Sequence, residues 1–100
     1  MTRTQILEAA NRCVCGDRDR DYGSPEDSFY TIAEFWTTYV KARCAAPGSV
    51  VDIGPVDVAA MMALLKIARI SSGHAKNDNW IDLAGYAACG GEMERVDADN

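Results

Sequence analysis

Apolar residues return along this chain every three or four positions, and no stretch keeps an alternation of two long enough to build a sheet. Ile6, Leu7, Ala10 and Val14 predict a first helix from about Thr4 to Cys15. Ser24, Pro25 and Asp27 form a start signal: a capping hydroxyl, a proline at the first helical position and an acid three residues on. The second helix then runs to about Arg43. Phe29, Ile32, Ala33, Trp36 and Val40 share one face, with Glu34 and Lys41 turned away. Pro55 opens a third helix to about Ile70, apolar nearly all round, as expected of a helix surrounded by neighbours. A fourth is predicted from an Asp78 cap to Cys89, stopped by Gly90 and Gly91. The one strand-like fragment, "SVVDI" at 49–53, is too short for a sheet. The pattern therefore predicts an all-α fold of four helices. Short connections, such as the turn at 71–77 that contains His74, predict an antiparallel bundle.

The chain has 100 residues, which predicts a single helical domain over 1–100 with a frayed tail from 91 onward. An apolar share of 48% excludes a disordered chain. A core this small is modest for a lone monomer. The third helix also carries more apolar circumference than three neighbours can cover. Both points predict a homo-oligomer, most simply a dimer. A net charge of −5 argues against binding along a DNA or RNA backbone, which asks for a basic face. No apolar run reaches a membrane span, and no charged-then-apolar leader pattern opens the chain, so the cytoplasm is the expected location. Cys13, Cys15, Cys44 and Cys89 lack zinc-finger spacing and are expected to be reduced gap-fillers.

The fourth helix, "NDNWIDLAGYAACGG", asks for explanation because it gives up helix propensity at Gly85 and spaces two acids one turn apart. A glycine there lets two backbones approach, and the third helix is the expected neighbour. Asp78 and Asp82 are four apart and share a face, a spacing that can hold one Mg²⁺ together with phosphate oxygens. A plainer reading makes Asp78 a cap and Asp82 the partner of Lys66 or Arg69. Lys66 is the exception in an apolar helix and suits a phosphate, a carboxylate or a route to solvent. Tyr22, beside Gly23, could lie over a base or sugar.

Three segments carry a resemblance: "DRDRDYGSPEDSFYTIAEFW", "DVAAMMALLKIARI" and "DNWIDLAGYAA". Together they resemble a family of small, uncharacterised phage and prophage proteins. That family is distantly similar to the nucleotide-modification-associated domains and to the MazG-like all-α nucleoside triphosphate pyrophosphatases. The resemblance implies a four-helix assembly of dimers or tetramers acting on nucleotides with Mg²⁺. It implies Asp78 and Asp82 as metal ligands. Lys66, Arg69, Tyr22 and Tyr86 become the substrate-binding candidates. The E-x-x-E glutamate pair of those enzymes has no counterpart: Glu26 and Glu34 stand eight apart, and the third helix offers only Asp57. No catalytic residue is assigned.

Two classes of function follow. One is an Mg²⁺-dependent nucleoside-phosphate pyrophosphohydrolase or nucleotide binder of phage nucleotide metabolism. The other is a non-catalytic helical protein that acts on a host or phage protein, with the same charges forming ion pairs. A tight Asp82–Lys66 bond without a cavity favours the second, and an open acidic cleft the first.

Overall fold

In the computed structural model of the chain, the residues described are 1–16, 25–73 and 76–94. Ser24 as a helix cap, His74 as a turn residue and the end of the expected tail from 95 onward lie outside them. The described residues form four helices and no strand. We number them α1, Arg3–Cys15; α2, Pro25–Arg43; α3, Pro55–Ser71; and α4, Asn77–Met93.

Each helix begins for an identifiable reason. Thr2 caps α1: its hydroxyl accepts from the Gln5 backbone N–H at 3.1 Å, and the Thr2 N–H donates to Gln5 Oε1 at 2.8 Å. This reciprocal box starts the helix a residue earlier than its apolar pattern predicts. In α2, Glu26 and Asp27 occupy the first turn and Lys41 and Arg43 the last, each sign matched to the nearer end of the helix dipole. Gly54 lacks a side chain to cap α3. Asp57 reaches back instead, its Oδ2 accepting from the Gly54 N–H at 2.9 Å, and Pro55 fills the first turn.

The start and stop of α4 differ from the sequence expectation. The cap is Lys76, and Asp78 lies inside the first turn, where its charge faces the positive end of the dipole. Gly90 and Gly91 do not end the helix, which continues to Met93. Gly90 serves a close approach: a Cβ placed there would stand 2.9 Å from the Ala59 Cβ of α3. Gly85, expected to face α3, faces α1, since its Cβ would meet Val14 Cγ1 at 3.2 Å. The helix spends one glycine on each neighbour.

That division places α4 at the centre. It packs most extensively on α3, then on α1, while α2 leans mainly on α3. Two small cores result. Phe29, Ala33, Val58, Ala59 and Cys89 close one among α2, α3 and α4, with Trp36, Met62 and Tyr86 against it. Ala9, Ala10 and Ile81 close the other between α1 and α4. The predicted α2 face is the one turned inward, whereas Leu7, counted in the α1 stripe, is exposed and Ala9 takes its place. The 49–53 fragment is a loop tied to α2. The Thr37 hydroxyl accepts from the Ile53 N–H at 3.1 Å and donates to the Ile53 carbonyl at 3.4 Å. None of the four cysteines is in a disulfide; Cys89 fills the α2–α3–α4 core, Cys13 packs against the α1–α4 core, and Cys15 and Cys44 are exposed.

Candidate functional site

The apolar run of α3 is broken by Lys66 and Arg69, three residues apart and so on adjoining positions of one face. Both meet α4. Lys66 Nζ lies 3.1 Å from Asp82 Oδ2, with the lysine side chain 16% and the aspartate 36% exposed. One turn further along α3, Arg69 Nε donates to Asn79 Oδ1 at 3.2 Å. Asn79 is 4% exposed, the one buried polar residue among those described. It sits three residues before Asp82, so the two polar residues of α4 answer the two cations of α3 in register.

The seam is electrically uneven. Lys66 has a carboxylate, but Arg69 is held by a neutral amide, and among the described residues no acid pairs with it. Asp78 is exposed in the first turn of α4. The pair Lys66–Asp82 stands partly open to water, where Coulomb attraction is weakened and exchange of partners is inexpensive.

The seam thus brings together three of the expected site residues, Lys66, Arg69 and Asp82, with Asp78 one turn before Asp82. Tyr86 has a different setting. Its ring lies 6.0 Å from that of Phe29, tilted by 35°, as part of the α2–α3–α4 core. Tyr22 lies outside the described residues. Asn79 is the residue that sequence reasoning missed. The signal was the asparagine inside "DNWID", which reads as an ordinary first-turn residue until its burial is known.

Two carboxylates one turn apart suffice for a Mg²⁺ ion that arrives with phosphate oxygens and keeps several waters. They do not suffice for a two-metal hydrolytic centre. Among the described residues no group of three or more histidine, cysteine, aspartate or glutamate side chains could hold a metal ion. A second concavity, about 560 Å³, opens where α2 and α3 begin and α4 ends, lined by Glu26, Asp27, Tyr30, Pro55, Glu92 and Met93. This acidic concavity lies away from the Lys66–Asp82 seam.

Residues 5–94 match a domain of unknown function, DUF6378. The chain belongs to the DUF6378 family. Among curated relatives, the Gene 55 protein of Mycobacterium phage D29 is 37% identical over 91 residues, covering 91% of this chain and 52% of that protein. The Gene 55 protein of Mycobacterium phage L5 is 36% identical over 91 residues, covering 91% and 51%. The chain thus spans about half the length of the curated relatives it matches, and the DUF6378 match covers nearly all of that shared part. No solved structure matches. No helix among the described residues is long and apolar enough to cross a membrane.

Proposed function

We propose that this DUF6378 chain is a nucleotide-binding protein of phage nucleotide metabolism, with its phosphate site at the α3–α4 seam. The observation that supports this reading is Arg69: a cation whose one partner among the described residues is a neutral amide, beside a half-open Lys66–Asp82 pair. A phosphate supplies the anion Arg69 lacks. Asp82 and Asp78 would hold an accompanying Mg²⁺, which would supply positive charge to the phosphate, and Lys66 would act as a point charge on the same phosphate. The resemblance of the three sequence segments to MazG-like enzymes is the reason for choosing a nucleotide as the phosphate's carrier. Pyrophosphohydrolysis needs more acids than the seam holds, so on this reading the seam binds, and cleavage requires carboxylates from elsewhere.

The test is a thermal-shift panel of nucleoside mono-, di- and triphosphates with and without Mg²⁺. A nucleotide at a hundred times its Kd adds about 2.7 kcal/mol to stability. We expect a rise in Tm that requires Mg²⁺ and grows with phosphate number. A flat panel at millimolar nucleotide would end this reading.

The 3.1 Å Lys66–Asp82 contact favours a second reading. Here the seam is a lock that fixes the register of α3 on α4, and the chain is a non-catalytic interaction protein. The short bond counts for it, and the lack of an acid paired with Arg69 among the described residues against it.

A further inference from the structure

Asn79 is an unexpected choice for its place. A buried polar group costs free energy unless it is hydrogen-bonded, and an apolar residue at 4% exposure would carry no such cost. The amide oxygen accepts from Arg69 Nε at 3.2 Å. For fastening α4 to α3 alone, aspartate would serve better, since a hydrogen bond between charged groups is roughly twice as strong as a neutral one. Lys66, on the adjoining position of α3, has that kind of partner in Asp82. Arg69 has an amide instead, which fixes the plane of the guanidinium and leaves its charge intact.

A guanidinium carries its N–H donors in a fixed fork. It can make a two-pronged contact across its Nε side or across the end formed by its Nη groups. Asn79 occupies the Nε side. Arg69 is exposed, and among the described residues no hydrogen bond or ion pair engages its Nη groups. The end edge is therefore the one offered to a ligand. We propose that Asn79 is the positioning residue of the seam, and that the edge it turns outward selects a terminal phosphate over an internal one. The inference rests on the phosphate-binding reading of the seam. A terminal phosphate has three unshared oxygens, so two can meet the Nη edge while the third is left for Lys66, a neighbour on the same helix face. A phosphate inside a chain or a diester has one fewer and gives up one of those contacts.

Isothermal titration calorimetry of the full chain in Mg²⁺ tests this with a nucleoside triphosphate, inorganic tripolyphosphate and a dinucleoside tetraphosphate, whose phosphates are all internal. The nucleoside triphosphate should bind at least about tenfold more tightly than the dinucleoside tetraphosphate, the worth of one charged hydrogen bond. Tripolyphosphate that binds as tightly as the nucleotide supports the terminal-phosphate site with a free phosphate chain as its carrier; weaker binding supports it with a nucleotide. Asn79→Asp keeps an acceptor for Arg69 and cancels the charge. The folded variant should bind the triphosphate about tenfold more weakly, a loss that a mere fastening role does not predict. Should Asn79→Asp fail to fold, Asn79→Ser, which lets the guanidinium turn, should show the same loss. Equal binding of the dinucleoside tetraphosphate, or a folded Asn79 variant with the parent's affinity, overturns the inference and leaves the phosphate reading standing. If no probe binds the parent, or Arg69→Gln binds as the parent does, that reading falls and the inference with it.

Discussion

Leu64 and Lys66 stand two residues apart on α3 and live in different solvents. Leu64 looks outward from a face with no charge over two turns. Lys66 looks inward at a seam where a carboxylate and an amide from α4 meet two cations. In an ordinary surface helix the order is reversed, with apolar residues inside and charges outside. The inversion puts the apolar surplus of α3 on its exposed side and its cations at the α4 seam, where a pair of leucines would join the helices without desolvating any charge.

The hardest way to break this contrast is to place the same carboxylate on each side of the helix. Val58 is fully buried between α2 and α4, at the deepest point of the core. Val58→Asp leaves a charge with no partner and should cost about 4 kcal/mol or more, a large part of a marginal stability. We expect loss of the cooperative melt. Leu65→Asp, on the outer face, should keep the fold and melt close to the parent, since Leu65 is already exposed. If both variants unfold alike, the outer face is not a surface of the folded chain.

The crossing of α3 and α4 offers a smaller effect of the same kind. Gly90→Val drives side-chain atoms into Ala59 of α3, and overpacking of this sort costs about 1–3 kcal/mol. The melting temperature of a domain this size should fall by about 4–8 °C per kcal/mol. Gly91 has open space where a Cβ would go, so Gly91→Ala should hold or raise Tm through helix propensity, by up to about 1 kcal/mol. Equal losses at both positions would show that the glycines matter for backbone freedom and not for approach.

Asp82→Ala tests the seam itself. An exposed pair is worth less than about 1 kcal/mol and a broken buried pair costs about 3–5. With Lys66 mostly covered and Asp82 about a third open, about 1–2 kcal/mol is the expected loss. Both readings of the seam share that loss. They part on nucleotide: the binding reading loses the Mg²⁺-dependent shift, and the lock reading had none to lose. A variant that melts lower and still responds to nucleotide as the parent does would remove Asp82 from any phosphate site.

Helix periodicity was legible because it is a local property. The inward face of α2 and the isolation of Lys66 in α3 both follow from spacing alone. What escaped depended on which helix lies opposite. Gly85 and Gly90 look alike in sequence, one predicted to face α3 and the other to stop α4. Only the position of α4 between α1 and α3 reverses those roles. Asp78 reads as a cap because aspartate favours that place, but the chain entering from Lys76 begins the helix earlier. The pairing of Lys66 with Asp82 was one of two partners open to that acid. The asparagine of "DNWID" reads as an ordinary first-turn residue, and its burial depends on Arg69, ten residues away on α3. The packing of Tyr86 on Phe29 escaped because an aromatic one turn beyond an acid suits a base-stacking role as well as a core, and Phe29 across from it is distant in sequence.

Arg69→Gln has the smallest expected effect on the fold and divides the two readings most cleanly. The Arg69–Asn79 bond is a single contact of a cation with a neutral amide at 3.2 Å, and a hydrogen bond of this kind contributes about 1 kcal/mol net. Glutamine keeps a donor of shorter reach, and Arg69 itself is exposed, so the unliganded protein should melt within a few degrees of the parent. No acid loses its partner, because among the described residues none is paired with Arg69. On the lock reading nothing else changes. On the binding reading the change is large, because the guanidinium pairs with no acid among the described residues, and its fork geometry suits two phosphate oxygens. The Mg²⁺-dependent thermal shift should then collapse for triphosphates while the unliganded Tm stays put. Arg69→Lys should restore only part of it, since a point charge cannot make the two-pronged contact. If Arg69→Gln responds to nucleotide as fully as the parent, the seam is a fastening between two helices and the phosphate site is elsewhere.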